Sequence, residues 1–457
     1  MISQKYQSIL NLLFVFVCFQ ILLSQSSPIE TVLDENSKNL NQIYESKDDV
    51  EEDEDKIFTR DVEQIDKNKE ESIRSLIPDL TYQKKSGLGT AISKIYFAEQ
   101  RFTISGFLEA NNVNFLSDKS REGGDLELYY NNLFRSGTYF GYKITDNIIF
   151  NSELQFEYLR DGSKEDAYEL NIEALVDFLI HPTFNIRVGN FPIPLGYVNI
   201  NEEPVMFHSV NRPEVERILI PTQWLEWGGM VFGTIGMGFD YNIAVVQGLN
   251  AKNFKEGTWI RQGRDFKFNG MNDVAYIWKL EWNGLDDFTL GLGLYHGKAA
   301  QGLRGVLGER IQAEVSLGAL NIFYKYNIFQ LTSVLVAGRL TDTEKLFNLT
   351  GNVMGERVYG GYLDIGIDIL GTVKNYVPLL THSYGLILFA RYERLDTHDK
   401  IHRELMDLDR AQKDLLIWTY GINYKPNREF VLKLNYQRRI NAYQGSNTIE
   451  DPDRVEF

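Results

Sequence analysis

The sequence predicts an all-β fold, a transmembrane antiparallel β-barrel of about 16 strands (roughly 14 to 18) with a short N-terminal extension. Apolar and polar residues alternate along many segments of about ten residues, as expected when one strand face meets lipid and the other meets water. Aromatic residues make up 13% of the chain, which suits the aromatic girdles of membrane interfaces. No apolar run as long as the N-terminal one occurs later, so the rest of the chain is soluble or crosses a membrane as a barrel.

Residues 1–26 predict a secretory signal peptide. Lys5 supplies a positive charge before the apolar core over residues 9–23, and Ser24 begins the small-residue stretch where cleavage is expected. An apolar core of about fifteen residues is shorter than the roughly twenty that a spanning helix needs, and an uncleaved membrane anchor is the alternative. The single cysteine, Cys18, falls in this run, so we expect no disulfide in the secreted chain.

Residues 27–90 predict an acidic periplasmic extension that is helical or disordered. Asp and Glu dominate residues 48–55 (DDVEEDED), a composition that favours a solvated chain. Ile43, Val50 and Ile57 recur at a heptad spacing, which keeps an associating helix open as an interpretation. The formal net charge of -16 argues against nucleic acid as a partner.

Residues 91–457 predict the barrel itself. In residues 168–178, apolar side chains alternate with Glu, Asn and Asp at most positions, and residues 430–437 alternate in the same way. Such segments are longer than the five or six residues typical of strands in soluble proteins, and about sixteen of them leave a water-filled lumen. A secreted soluble β protein is the alternative fold.

A long charged connection interrupts the strand pattern near the middle of the chain. The alternation that begins at Phe184 stops at Pro192 and Pro194, because proline cannot donate to a β ladder, and it resumes near Trp227. Residues 199–223 lie between and carry both charge signs. They predict a constriction loop that folds into the lumen, with an extracellular excursion as the alternative. The candidate constriction residues are Arg212, Glu214, Glu216 and Arg217.

A second long connection carries a basic group. Its members are Lys252, Lys255, Arg261, Arg264 and Lys267. Such a group either gathers anions at the mouth of a pore or is an ordinary solvated loop.

Several stretches resemble the phosphate-selective porin O and P family. They are residues 188–196 (VGNFPIPLG) with the charged loop and residues 227–233 (WGGMVFG), then residues 388–396 (LFARYERLD) and residues 420–436 (YGINYKPNREFVLKLNY). The resemblance covers roughly residues 95–440 and implies an outer-membrane porin, a constriction at the charged loop and a homotrimer. It also implies a luminal arginine ladder and a lysine cluster, and neither is visible as a pattern in this sequence.

The predicted inner faces carry more acidic than basic side chains, thirteen against six. The predicted pore-lining residues are Glu153, Glu157, Glu169, Glu173, Asp177, Arg187, Lys279, Glu281, Asp364, Asp368, Arg391, Glu393, Lys433 and Arg439, and Glu109, Glu127, Asp240, Glu314 and Lys325 complete the count. Because luminal charge sets the ion that a pore favours, we expect a passive diffusion channel for ions and small hydrophilic solutes, weakly cation-preferring or nonselective. An anion- or phosphate-selective porin is one alternative, and a wall of ion pairs that stiffens the barrel is another reading of these charges.

The sequence shows no pattern for catalysis, for a cofactor or for a metal site. None of its six histidines stands in a nucleophile motif or an HExxH motif, so we expect no enzyme. The expected partners are outer-membrane lipid, small solutes or ions, and the barrel-assembly machinery, which would recognise the terminal Phe457. A surface-exposed adhesin or interaction protein on a barrel scaffold is a further alternative.

The C-terminal segment allows two readings of the closing strand. Only Arg454 to Phe457 follows the strand breaker at Pro452. Either residues 430–439 close the barrel and a tail follows, or the chain lacks the last part of a longer final strand.

Overall fold

Sixteen antiparallel strands form a closed barrel in this computed structural model of the chain. The structure describes residues 100–457 except 118–129, 161–165, 265–266, 269, 409–411 and 443–450, so the predicted signal peptide and acidic extension lie outside the described residues. The strands are β1 (Phe102–Phe115), β2 (Asn132–Thr145), β3 (Ile148–Arg160), β4 (Asp166–His181), β5 (Phe184–Pro192), β6 (Leu225–Thr234), β7 (Phe239–Gln247), β8 (Val274–Leu285), β9 (Phe288–Lys298), β10 (Glu314–Tyr326), β11 (Phe329–Leu340), β12 (Gly355–Asp368), β13 (Gly385–Ile401), β14 (Asp414–Lys425), β15 (Leu432–Asn441) and β16 (Arg454–Glu456).

The short strand β16 closes the barrel. Every other strand pairs with its neighbours in sequence, and Val455 of β16 pairs with Asn114 of β1 on one side and with Tyr436 of β15 on the other. The predicted barrel of about 16 strands is confirmed. Residues 430–439 do not close it, because β15 has a partner strand along both edges.

Side chains alternate between the lumen and the outer surface along each strand. In β4, Asn171 and Glu173 are buried, whereas Leu170 and Ile172 are exposed. The outer surface carries a belt of exposed Leu, Ile, Val, Phe, Tyr and Trp side chains, which is unfavourable in water. The belt therefore faces lipid, and the barrel is built from transmembrane strands.

The two ends of the barrel differ in their connections. At one end most turns are short, and Asp287 and Asn327 adopt the left-handed conformation of tight hairpins, with φ of 55° and 54°. Aromatic rings gather near these turns: the ring centroids of Phe288 and Tyr324 lie 6.0 Å apart, and those of Tyr324 and Tyr326 lie 6.3 Å apart. Membrane barrels of bacteria have short turns at one end and longer loops at the other, and this barrel shows the same asymmetry.

Helices in the described residues lie in the connections. The α-helices are α1 (Glu214–Ile218), α2 (Thr343–Thr350) and α3 (Leu370–Val373), and the 3-10 helices are Val198–Ile200, Pro204–Met206, Ala251–Asn253, Arg261–Gly263, Pro378–Leu380 and Arg403–Leu405. Within the described ranges, no helix combines the length and the apolar character needed to cross a membrane.

The hydrophobic core lies inside the barrel. Apolar side chains of residues 193–224 and 249–260 pack against inner faces of the barrel wall, mainly those of β6–β12. The rings of Trp224 and Tyr295 lie 4.8 Å apart, and Trp259 is so close to Gly338 that a Cβ atom there would lie 2.4 Å from the indole ring. This core fills one side of the lumen, and the inner faces of β1–β5 and β13–β16 on the other side are mainly polar.

Candidate functional site

Residues 193–224, here named the inner loop, run inside the barrel and are nearly all buried. At the base, Ile193 donates its N–H to the carbonyl of Trp224 (2.8 Å). Asn199 bridges the same two residues, because it donates from Nδ2 to the carbonyl of Ile193 (2.8 Å) and accepts from the N–H of Trp224 (2.9 Å). These bonds turn the chain inward where Pro192 ends β5. The inner loop therefore enters the lumen rather than extending away from the barrel.

Glu216 joins the start of the inner loop to the barrel wall. Its carboxylate accepts the N–H groups of Tyr197 and Val198 (2.8 Å each) and the hydroxyl of Tyr362 in β12 (2.6 Å). Gly196 has a φ of 67°, and a Cβ atom there would lie 2.5 Å from Glu216 Oε2, so this position needs glycine. Burial raises the pKa of Glu216, and the three donors oppose that rise. This predicted constriction residue is thus an anchor of the loop.

Glu214 gathers three arginines where α1 meets the last two strands. Its Oε1 lies 3.1 Å from Arg217 Nη1, 3.3 Å from Arg439 Nη2 and 2.8 Å from Arg454 Nη2. Burial opposes ionisation of Glu214, but the three guanidinium groups outweigh it and lower the pKa of this carboxyl to about 2. Asp451 accepts from Arg439 Nε (2.6 Å) and extends the network. Charge therefore holds α1 against β15 and β16.

The tip of the inner loop is bound to the far wall of the barrel. His208 Nδ1 lies 2.6 Å from Asp364 Oδ1 in β12. Arg391 of β13 donates to the hydroxyl of Ser209, and Lys433 of β15 donates from Nζ to the carbonyl of the same serine (2.8 Å). The predicted pore-lining residues Asp364, Arg391 and Lys433 therefore hold the loop, which crosses the lumen from β5 to β12–β15.

Two arginines of the second long connection fix the inner loop from another side. Arg261 is fully buried and donates to the carbonyl of Arg217 and to the hydroxyl of Thr222. Arg264 donates to the carbonyl of Thr222. In the basic group singled out in the sequence, these two members bind the protein itself, whereas the three lysines are exposed.

An acidic wall lines the gap between the inner loop and strands β3 and β4. Glu153 pairs directly with Glu173, and Glu157 with Glu169, so carboxyl groups face each other across the two strands and would repel each other when ionised. Glu202 of the inner loop faces the same gap, and burial raises its pKa. The gap is a cleft of about 10 Å³, the size of a single water, and it is lined by Glu153, Gln155, Asn171, Glu173, Pro192, Asn199, Glu202, Gln223 and Leu225.

A second cleft, of about 30 Å³, lies between the inner loop and strands β1–β3. Arg135 of β2 reaches into it, with its guanidinium 2.6 Å from Glu109, 3.9 Å from Glu157 and 3.8 Å from Glu202. Arg212 lies 3.4 Å from the same Glu202. Arg135 is absent from the residues predicted to line the pore, although the structure places it on the inner face of β2.

The chain is similar to known proteins only at low sequence identity. No family model matches the chain. A protein of Aquifex aeolicus (strain VF5), described as uncharacterized, is 27% identical over 370 residues, which cover 78% of this chain and 80% of the relative. OmpF of Salmonella typhi in complex with daunomycin is similar at 11% identity and a TM-score of 0.47, covering 78% of this chain and 95% of that one. The anion-selective porin of Comamonas acidovorans is similar at 11% identity and a TM-score of 0.45, covering 78% and 97%.

Ion pairs connect many of the predicted pore-lining residues, which the structure places on inner faces. The pairs are Arg187–Asp177 (2.7 Å), Lys279–Glu281 (2.9 Å) and Arg391–Glu393 (2.7 Å). These contacts form a network of ion pairs along the barrel wall, which is the alternative interpretation of the luminal charges given by the sequence. They neutralise charge on both sides, so Arg187, Lys279 and Arg391 contribute little free positive charge to the lumen.

The structure does not place three of the residues assigned to inner faces in this network. Asp368 stands at the end of β12 and accepts the N–H groups of Leu370 and Leu386 (3.0 Å each), so it caps the strand. Glu314 lies on the outward-facing side of β10. Its inward assignment is wrong because the apolar residues that alternate with it, Val315 and Leu317, face the hydrophobic core inside the barrel rather than lipid. Glu127 lies outside the described residues.

One group of side chains could hold a metal ion. Glu344 of α2, His402 and Glu404 each place one ligand atom within 4.8 Å of the others. The group is half-buried to exposed, and no residue of the inner loop takes part in it. The narrowing of the lumen therefore does not depend on it.

Proposed function

We propose that this protein is an outer-membrane porin, a passive diffusion channel for ions and small hydrophilic solutes. The observation that carries the proposal is the inner loop, which crosses the lumen of a lipid-facing barrel and is bound to its wall. Hydrogen bonds or ion pairs join it to β2, β12, β13, β15 and β16. A loop held at so many points sets a fixed aperture, and solute gradients supply the driving force without any cofactor.

Unpaired polar groups on the inner faces support a hydrated path. The side-chain amides of Asn151 in β3 and Asn423 in β14 are buried, and neither polar atom of either amide has a hydrogen-bond partner among the described residues. Buried amides of this kind are normally hydrogen-bonded, and water is the partner that a lumen offers. The path therefore follows the polar side of the lumen, away from the apolar core against β6–β12.

The charges along this path favour cations. Arg135, Arg187 and Arg439 each lie within 3 Å of a carboxylate, so their charge is largely neutralised. Glu153 and Glu173 instead face each other across β3 and β4, so any charge that they carry in the gap is negative. Fixed charge of one sign sets the ion that a pore favours, so we propose a weak cation preference. The anion-selective alternative rests on the second cleft, where Arg135 of β2 and Arg212 of the inner loop both lie near Glu202.

Reversal potentials across a KCl gradient in planar bilayers test this proposal. The wild-type channel should give a reversal potential of the sign expected for a channel that prefers cations. Glu153→Gln combined with Glu173→Gln should move it toward zero, because the charges that repel anions are gone. Glu429→Gln, an exposed carboxylate in the β14–β15 turn, serves as the control and should leave it unchanged. A wild-type potential of the anion sign, or a double variant identical to wild type, contradicts the proposal.

Two expectations about assembly stay predictions. Phe457 exchanges backbone hydrogen bonds with Asn112 of β1 (2.7 and 3.0 Å), which places it at the seam where the barrel closes. Recognition of Phe457 by the barrel-assembly machinery, and the homotrimer implied by the family resemblance, are to be tested by truncation and by native mass measurement.

A further inference from the structure

A row of polar side chains crosses the outer surface of the barrel near the long connections. In directly paired positions from β8 to β13, the row runs Tyr276, His296, Ser316, Arg339, Arg357 and Lys400. Three neighbouring members, Arg339, Arg357 and Lys400, are basic. Like charges in directly opposed positions destabilise a sheet, so an anion bound to this row would relieve their repulsion.

The row keeps a net positive charge after its acidic neighbours are counted. Arg357 donates from Nε to Asp399, and Lys400 Nζ lies 3.0 Å from Glu356 Oε2. The side chains of Arg357 and Lys400 nevertheless remain 63% and 61% exposed. Arg339 is also exposed, and neither of the residues directly paired with it, Ser316 and Arg357, is acidic. At the upper edge of the apolar belt, the row therefore has three basic groups, and among the described residues only two acidic groups contact them.

Small residues open a groove in the apolar belt beside this row. One step toward the middle of the membrane, the paired outward positions are Trp278, Leu294, Gly318, Ala337 and Tyr359. Gly318 and Ala337 lie in the middle of this set and leave a gap between larger side chains. The groove measures about 650 Å³, and the basic residues Arg339, Arg357 and Lys400 line its upper end.

We propose that this groove binds an anionic phosphorylated lipid from the surrounding leaflet. The phosphate lies on Arg339 and Arg357, since guanidinium groups donate paired hydrogen bonds to phosphate oxygens. One acyl chain lies over Gly318 and Ala337 and packs against Trp278. The position of the groove selects this occupant: its apolar part faces lipid, and its basic part stands at the level of the lipid headgroups.

Lipid retention measured by native mass spectrometry tests the proposal. The purified barrel is offered phosphatidylglycerol, phosphatidylcholine with the same acyl chains, or glycerol 3-phosphate without chains. The wild type should retain phosphatidylglycerol in preference to the other two. Arg339→Gln should weaken retention roughly five-fold, and the double variant with Arg357→Gln roughly twenty-five-fold, from the usual contribution of a basic residue at a membrane surface.

A filled groove and a distant arginine supply the matched variants. Gly318→Leu keeps the charge but occupies the groove, so it should also weaken retention of phosphatidylglycerol. A Cβ atom at Gly318 would lie 3.5 Å from Leu294, an ordinary contact, so this variant should fold. Arg438→Gln removes an exposed, outward-facing arginine on β15 and should leave retention unchanged. Heat-modifiable gel mobility verifies that each variant is folded.

A second readout keeps the test decisive if an arginine variant fails to assemble. Phosphatidylglycerol with brominated acyl chains should quench wild-type fluorescence more strongly than that of Trp278→Phe, because Trp278 lines the groove. Equal retention of both phospholipids would indicate ordinary annular lipid, and equal retention of glycerol 3-phosphate would indicate a phosphate site without the groove. A change of oligomeric state without loss of lipid would indicate a contact between copies. Each of these three results overturns the proposal.

Discussion

Replacing Glu214 by glutamine tests whether charge holds the inner loop against the closing strands. The wild-type carboxylate lies within 3.3 Å of Arg217, Arg439 and Arg454, and it is 2% exposed. Glutamine keeps the size and one acceptor oxygen but removes the negative charge. The three buried guanidinium groups then repel one another with less compensation, and α1 should separate more readily from β15 and β16.

The structure sets the size of this effect. The lowering of the pKa of Glu214 from 4.5 to about 2 means that the folded protein favours the ionised carboxylate by about 3 kcal/mol. Removing one partner of a buried ion pair costs roughly 3–5 kcal/mol by general experience. We therefore expect Glu214→Gln to lower the free energy of unfolding by about 3 kcal/mol at neutral pH.

The effect should also depend on pH in a defined direction. The carboxyl has a folded-state pKa below its unfolded value, so its contribution is complete above about pH 4.5 and is lost as the pH falls toward 2. Wild type should therefore lose stability over this range, while Glu214→Gln should lose about 3 kcal/mol less. The two proteins should converge in strongly acidic solution.

Denaturant unfolding in detergent micelles, followed by tryptophan fluorescence, measures these differences at several pH values. Glu429→Gln in the exposed β14–β15 turn is the control and should match wild type throughout. Single-channel recordings add a functional readout, because a loosened inner loop should raise conductance or its fluctuations. A Glu214→Gln protein with wild-type stability at pH 7 and an unchanged conductance would refute the reasoning.

Two further predictions address the strand faces and the acidic wall. Leu170→Arg should impair membrane assembly, since a cation on the lipid side costs roughly 2–4 kcal/mol at the midplane, whereas Glu169→Arg on the inner face should assemble and shift ion selectivity toward anions. Equal heat-modifiable assembly of both variants would show that the face assignment is wrong. Acidification should reduce the cation preference, and it should do so at a higher pH than the one at which exposed glutamates become protonated. The reason is that burial raises the pKa of Glu202. Reversal potentials measured stepwise from pH 7 to pH 4 test this, and a constant preference over that range would contradict it.

The barrel could be predicted because the two faces of a membrane strand meet different solvents. In β4, Leu170 and Ile172 face lipid, whereas Asn171 and Glu173 face the inside of the barrel, so consecutive residues differ in polarity. The double proline after β5 likewise marks the entry to the inner loop. Patterns of this kind involve residues that are close together in the chain, so they can be recognised in a single sequence.

The interior arrangement could not be predicted because its contacts join residues that are far apart in the chain. Glu214 meets Arg454, and Arg391 meets Ser209, across the lumen, and no local spacing signals either contact. The closing strand β16 has only three residues, which is too short for alternation to show. For the same reason, sequence patterns identified charged residues of the lumen but not that many of them bind each other or the inner loop.

The claim on which the account depends is that ions pass through a hydrated lumen beside the inner loop. Covalent modification during single-channel recording tests it directly: Glu169→Cys places a thiol on the inner face and Leu170→Cys places one on the lipid face, in a chain whose single native cysteine, Cys18, precedes the barrel. The account predicts that a charged, water-soluble thiol reagent reduces the current through Glu169→Cys and leaves Leu170→Cys unaffected. Unaltered current through Glu169→Cys, or the absence of any channel current in the wild type, would contradict it.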